Sequence, residues 1–180
     1  SHSFIKFQDK QNRWYNIELT QGAVVTDDFY MNSGFIKSKA IQTGIYLNPR
    51  TMKQTIAHML NDLSAYYISR YGYDHFIEEN SNLVLRYSPS DLTAYQHYAN
   101  ICTVQAQYVI DACGRPPKEQ LPEYPQAHRL FKKMLQSHEK IDSLGYEEMP
   151  AEIYHNWLKQ VDKAKTLPEN QPSPIIQIKK

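Results

Sequence analysis

The feature that most constrains the fold is the division of residues 51–167 into helix-length segments by capping residues, glycines and prolines. Thr51 and Gln54 have the spacing of a capping box, and large apolar side chains then recur every three or four residues up to Gly72. Side chains spaced in this way share one face of an α-helix. The predicted helices begin near Thr51, Asp74, Ser90 or Asp91, Ala127 and Pro150.

The first fifty residues have a different pattern, in which aromatic and β-branched side chains occupy two short segments around a polar turn. Residues 3–8 and 13–19 are predicted to form an antiparallel β-hairpin. Pairing about a loop centred on Lys10 places Phe4 opposite Asn16 and His2 opposite Glu18, with both members of each pair on one face. We therefore expect a mainly α-helical protein with a small antiparallel β element.

The composition argues against several classes of function. The 20 basic and 19 acidic residues are spread evenly and give a net charge of +1, without the basic stripe that is typical of nucleic-acid binding. No apolar run is long enough to span a membrane. The six glycines are dispersed and the seven histidines lack HxxxH spacing, so we predict no cofactor and no metal site. The cellular compartment stays open.

The two cysteines, Cys102 and Cys113, fall on the same predicted helix, roughly 16 Å apart along its axis. A disulfide needs Cα atoms within about 7 Å, so these two cannot pair while the helix is intact. Both lie on an apolar stripe that favours small side chains. We therefore predict that they are core residues and not nucleophiles.

Residues 51–89 contain small and large side chains in the order of a known repeat motif. The positions that carry this pattern are Leu63, Ser64, Tyr67, Gly72, Tyr73, Asp74 and Pro89. The segment thus resembles a tetratricopeptide repeat, although it has one extra residue before Pro89 and Phe76 where the family prefers alanine. The next unit begins similarly, but a proline-rich connection at 115–125 replaces its turn. An ordinary bundle of helical hairpins is the alternative.

The repeat resemblance implies a groove, lined by the first helix of each pair, that binds a protein or an extended peptide. Polar side chains in such a groove hydrogen-bond the peptide backbone or a terminal carboxylate. The register assigns to it His58, Asn61, Gln96, Asn100 and Thr103. A solvated face without a ligand is the alternative. We also expect four tyrosines to pack between the paired helices, namely Tyr66, Tyr67, Tyr71 and Tyr73.

A second resemblance depends on the spacing of four residues in the predicted hairpin, His2, Trp14, Glu18 and Thr20. Their order and intervals are similar to those of transglutaminase-like domains, whose papain-type site combines Cys, His and Asp. The resemblance implies that His2 acts as general base and that Glu18 orients its imidazole. Glu18 stands where the family has aspartate, which lengthens the side chain by one methylene. An amphipathic hairpin with a chance His and Glu is the alternative.

The cysteine nucleophile that this family requires is missing at its usual place. Family order puts it before the histidine, where only Ser1 precedes His2. We therefore expect a C-terminal part of a longer protein: residues 1–50 from a transglutaminase-like α+β domain, 51–167 as the helical domain and 168–180 as a flexible tail. For this chain we favour a noncatalytic protein-binding module. The alternative is part of an active thiol-dependent amide hydrolase or acyltransferase whose cysteine lies upstream.

An isolated two-stranded hairpin is marginally stable in water, so it must pack on other elements or on a copy of itself. We expect the predicted hairpin to expose an apolar face, and a homo-oligomer formed through that face is a hypothesis. The residues of this face are Ile5, Phe7, Tyr15 and Ile17.

Overall fold

A computed structural model describes residues 4–19, 22–33 and 35–165. The protein is mainly α-helical with a small antiparallel sheet, which confirms the predicted fold class. Among the described helices, none combines the length and the apolar character needed to cross a membrane. His2, Thr20 and the predicted tail at 168–180 lie outside the described residues.

The sheet has three strands in the order β1-β2-β3. Strands β1 (Ile5–Gln8) and β2 (Trp14–Glu18) form the predicted hairpin, and β3 (Ala23–Val25) pairs antiparallel with β2. The third strand was not predicted because its three residues are too few to show an alternating pattern. β3 hydrogen-bonds to the second edge of β2 and so stabilises a hairpin that would be only marginally stable alone.

The predicted register of the hairpin is wrong by two residues. Ile5 pairs with Ile17 and Lys6 with Asn16, so the loop is centred on Gln11 and not on Lys10. The Asp9 carboxylate fixes this turn, because it accepts hydrogen bonds from the backbone N–H groups of Gln11 and Arg13 at 2.8 and 2.9 Å. An even shift preserves the faces of the sheet, since side chains alternate with period two.

The apolar face that was predicted to be exposed is exposed at Ile5 but half-buried at Phe7, Tyr15 and Ile17. Ile5 is 50% exposed and pairs with Ile17 on the predicted apolar face, where Phe7 and Tyr15 stack with ring centroids 5.5 Å apart. Val24 of β3 extends the same face. The opposite face includes Asn16 and Glu18, which are both buried.

The chain divides into two compact units. Of the described residues, the β unit comprises those up to Ser38 and those in 147–165, and it contains the sheet, α1 (Asp27–Ser33) and α7 (Ala151–Lys165). The helical unit comprises Lys39–Tyr146. The predicted boundaries at residues 50 and 167 stay predictions.

The helical unit contains most of α2 (Ser38–Gln42) and four longer helices. These are α3 (Met52–Tyr71), α4 (His75–Tyr87), α5 (Leu92–Ala112) and α6 (Pro125–Ser143). The capping box of Thr51 and Gln54 and the N-caps Asp74 and Asp91 are confirmed by their hydrogen bonds. A 3₁₀ helix at Lys118–Glu123 occupies the proline-rich connection, where no regular structure was predicted.

Two clusters form the core of this unit. The larger one joins α2 to α5 and α6 through Ala40, Ile45, Leu92, Ala99, Ile141 and Leu144. The smaller one joins α3, α4 and α5 through Ala57, Val84 and Ala94. The side chains that α3 buries are therefore small, and this determines where its large side chains point.

Candidate functional site

Glu18, the predicted orienting acid, is a buried residue at the end of β2, with 2% of its surface exposed. Its Oε2 accepts a hydrogen bond of 2.9 Å from the hydroxyl of Tyr30 on α1. The Tyr30 ring stacks on Phe4, with ring centroids 4.3 Å apart. Burial, and after it this hydrogen bond, raises the pKa of Tyr30, so its hydroxyl stays protonated and donates. The observed register continues from the Ile5–Ile17 pair to Phe4 opposite Glu18, so the predicted cross-strand position of His2 opposite Glu18 is wrong. His2 itself lies outside the described residues, and a contact between His2 and Glu18 stays a prediction.

A second polar group lies on the same face of the sheet. Lys6 Nζ donates to both carboxylate oxygens of Asp27, at 2.6 and 2.7 Å, and Asn16 Nδ2 donates to Oδ1 of Asp27 at 2.8 Å. Asp27 opens α1, where a negative charge is favourable because of the helix dipole. These bonds hold β1 and β2 against the start of α1 and thereby fix the position of Glu18.

Cys102 lacks the properties of an activated nucleophile. Both cysteines are free thiols of the helical unit, and Cys102 is buried in α5. Burial raises the pKa of the Cys102 thiol, whereas a nucleophilic cysteine needs a lowered pKa. The prediction that Cys102 is a core residue is confirmed, while Cys113 is half-buried.

The structure brings two of the predicted groove residues together, His58 and Asn61, through the carboxylate of Asp91. His58 Nδ1 lies 2.6 Å from Oδ2 of Asp91, and Asn61 Nδ2 donates to Oδ1 at 3.0 Å. The same Oδ1 accepts from the backbone N–H of Ala94 at 3.1 Å, which is the N-cap bond of α5. Burial alone would raise the pKa of Asp91, but the bonds from His58 and Ala94 outweigh it and lower the pKa.

His97 lies next to this cluster and was not predicted to belong to it. The Asn61 carbonyl and the Asp91 charge both act on its ring, but neither ring nitrogen has a hydrogen bond of normal geometry to another described residue. Burial lowers the pKa of His97, so the imidazole is held in its neutral form. Asn61 and His97 lie close together only because α3 contacts α5, and no spacing in the sequence indicates that contact.

The other predicted groove residues lie along α5. Asn100 Nδ2 donates to the Tyr73 hydroxyl at 2.9 Å, and Gln96 is half-buried. Thr103 Oγ1 donates to the Ala99 carbonyl at 2.9 Å and lies 3.1 Å from His138 Nε2. His58 and Asn61 are thus engaged with the N-terminus of α5, while the other three residues follow its length. Their role in binding a peptide stays a prediction.

The outer face of α3 is the largest feature that the sequence analysis missed. Five large apolar side chains on it are between 49% and 75% exposed. They form what we call the α3 seam, which consists of Met52, Ile56, Met59, Leu63 and Tyr66. The opposite face buries Ala57, Asn61 and Ser64. The expected packing of all four tyrosines between helices is wrong for Tyr66 and Tyr71, which are 61% and 68% exposed.

A groove also lies between α5 and α6, with a volume of about 540 Å³. Its lining comes from the C-terminal half of α5 and the N-terminal half of α6, which are distant in sequence. Among the described residues, no group of three or more His, Cys, Asp or Glu side chains is arranged to hold a metal ion.

Comparison of this chain with protein-family models, curated proteins and solved structures finds no match. The transglutaminase-like and tetratricopeptide-like resemblances therefore stay predictions.

Proposed function

We propose that the helical unit binds an amphipathic helix of a partner protein along the α3 seam. The observation that carries this proposal is the spacing of the five exposed side chains, which alternate between four and three residues. That spacing is the a/d pattern by which two helices pack as a coiled coil. A helix of 20 residues is about 30 Å long, which is enough for several turns of contact.

The apolar gain is substantial but does not ensure binding by itself. Burying the exposed half or more of five large side chains contributes about 5 kcal/mol. Association costs about 4–15 kcal/mol in lost freedom, so the partner must add polar contacts at the edges of the seam. The charged residues that flank the seam are Lys53, Asp62 and Arg70.

These charges favour a different protein over a second copy of this chain. An antiparallel copy would bring two Asp62 side chains together beside the centre of the seam. A parallel copy would instead juxtapose two Arg70 side chains at its end. Like charges in such positions are destabilising. A partner helix with a basic residue opposite Asp62 and acidic residues opposite Lys53 and Arg70 fits better.

Binding to a designed helix tests this proposal. The probe is a peptide with leucine at its a and d positions, lysine opposite Asp62 and glutamate opposite Lys53 and Arg70. We expect a Kd on the order of 10 µM by fluorescence anisotropy, weakened at least about tenfold by Leu63→Lys. Leu83→Lys is the matched control, because Leu83 is 39% exposed on α4 and lies outside the seam.

Two results would overturn the proposal. One is equal affinity of the wild type and Leu63→Lys for the probe. The other is a dimer in sedimentation that Leu63→Lys dissociates, since the occupant would then be a second copy. A charge-reversed peptide provides the test of complementarity and is expected to bind more weakly.

A second candidate function rests on the buried Glu18 and its bond to Tyr30. We infer that Glu18 orients the histidine of a thiol-dependent acyl-transfer site, as the transglutaminase-like resemblance implies. The test is alkylation of the full-length protein at near-neutral pH, with and without Glu18→Gln. Rapid labelling of one low-pKa thiol, together with an activity loss in the variant, is expected. Absence of such a thiol overturns this inference and leaves the α3 seam unaffected.

A further inference from the structure

The groove between α5 and α6 has a defined geometry. The two helices run antiparallel, because Thr103 contacts His138 while residues 105–109 line the groove together with 126–133. The groove is open to solvent and has a volume of about 540 Å³, within the range of ligand-binding clefts. Val109 and Leu130 are half-buried and form its apolar floor.

The base of the groove is a fixed ion pair without net charge. Lys133 Nζ donates to Oε1 of Glu78 at 2.7 Å, and Gln105 Nε2 donates to Oε2 of the same carboxylate at 3.1 Å. The bond from Lys133 lowers the pKa of Glu78 despite partial burial, so the pair stays ionised. Lys133 and Gln105 are therefore satisfied within the protein and are not the groups that attract a ligand.

The rim of the groove carries three polar groups of a different kind. The Arg129 guanidinium, the Gln126 amide and the Tyr108 hydroxyl have no hydrogen-bond or ion-pair partner among the described residues. Arg129 is exposed and Tyr108 is 77% exposed. After the Lys133–Glu78 pair cancels, Arg129 leaves the groove lining with one positive charge. Its planar fork of N–H donors matches a carboxylate.

The start of α6 adds little to this charge. Gln126 lies in the first turn of α6, and Tyr124, the residue before the helix, provides no side-chain cap. The N-terminus of a helix favours an anion, but the antiparallel α5 places its C-terminal half against the same part of α6, and a helix C-terminus favours a cation. Arg129 therefore carries the preference for negative charge, while Val109 and Leu130 make another part of the groove apolar.

We propose that the α5–α6 groove is a binding site for a short acidic peptide segment of a protein. A carboxylate of the segment pairs with Arg129, and Gln126 and the Tyr108 hydroxyl hydrogen-bond its backbone. A neighbouring aliphatic or aromatic side chain packs on Val109 and Leu130. This site is separate from the α3 seam, because its lining residues come from α5 and α6 alone.

The experiment is an NMR titration of the full chain with the capped tripeptide Glu-Leu-Tyr, with its neutral counterpart Gln-Leu-Tyr as comparison. We expect a Kd on the order of 100 µM for the acidic peptide, with shifts centred on the amides of Val109 and Leu130. Arg129→Gln should weaken this binding about tenfold or more. Arg86→Gln, an exposed arginine on α4, is the matched control and should leave it unchanged.

Three outcomes would overturn the proposal: equal binding of both tripeptides, unchanged affinity in Arg129→Gln, or equal shifts with inorganic phosphate at the same concentration. The last outcome would reduce the groove to a general anion site. Leu63→Lys should retain tripeptide binding, so failure at the groove and failure at the α3 seam are distinguishable.

Discussion

Replacing Asp91 by alanine is the sharpest test of how the helical unit is held together. The Asp91 side chain is fully buried and serves two structural roles at once. It caps α5 through Ala94, and it binds His58 and Asn61 of α3. Loss of an N-cap costs about 1 kcal/mol. Leaving the Asn61 amide and the His58 ring without their acceptor costs about 1–3 kcal/mol.

We therefore expect Asp91→Ala to lower the free energy of unfolding by about 3 kcal/mol. That is a large part of the stability of an ordinary domain, about 5–15 kcal/mol. The assay is urea denaturation followed by far-UV circular dichroism, with the m-value compared to establish that the transition stays two-state. Asp91→Asn should have an intermediate effect, since its amide oxygen still caps the helix.

Asp111→Ala is the control because it removes the same side chain from the same helix at an exposed position. Asp111 accepts hydrogen bonds from Arg115 and Gln107, both at 2.7 Å, but these bonds compete with water. The change there should be far smaller than at Asp91. If Asp91→Ala lowered the free energy of unfolding by less than about 1 kcal/mol, the reasoning would be refuted, because loss of the central acceptor of a buried hydrogen-bond network costs more than that.

Burial lowers the pKa of His97, so its neutral form stabilises the fold above the ordinary pKa of about 6.5, and this stabilisation is lost as the pH falls through the lowered pKa. In thermal denaturation, lowering the pH from 7.5 to 5.5 should therefore destabilise His97→Gln less than the wild type. Leu63→Lys should change the free energy of unfolding by no more than about 0.5 kcal/mol, as measured in urea, because the side chain is half exposed. If the apolar sheet face mediates self-association, sedimentation should show a concentration-dependent oligomer that Val24→Lys weakens, and a monomer at all concentrations would count against it.

The elements that could be predicted from sequence are those whose signals are local. The capping box of Thr51 and Gln54, the cap Asp74 and the terminating Gly72 each act within a few residues, and the structure confirms them. The register of the hairpin failed for a local reason as well. Asn12 adopts a φ of 61° and the Asp9 carboxylate accepts from the Arg13 N–H, so the turn extends to Arg13 and its centre moves from Lys10 to Gln11.

The burial of α3 could not be predicted because periodicity shows that a helix has an apolar stripe but not what covers it. Here α4 and α5 approach α3 on the side of its small residues. The amide of Asn80 on α4 donates to the Leu60 carbonyl at 2.8 Å and also to the Ser64 hydroxyl. Large side chains in place of Ala57 or Ser64 would separate the helices. A hydropathy argument alone assigns the inner and outer faces of α3 the wrong way round.

The two faces of α3 differ in how completely they are packed. One face carries small side chains and forms specific hydrogen bonds with α4 and α5, so it is already covered within the helical unit. The other is a stripe of five exposed large apolar side chains, from Met52 to Tyr66. A helix with packing surfaces on both sides is typical of the interior of a stack, in which each helix pair covers the next. The helix that we propose for the α3 seam would therefore take the position of a preceding helix in such a stack. Binding of that helix should depend on heptad spacing and on the charges that flank the α3 seam. It should be independent of the Arg129 groove.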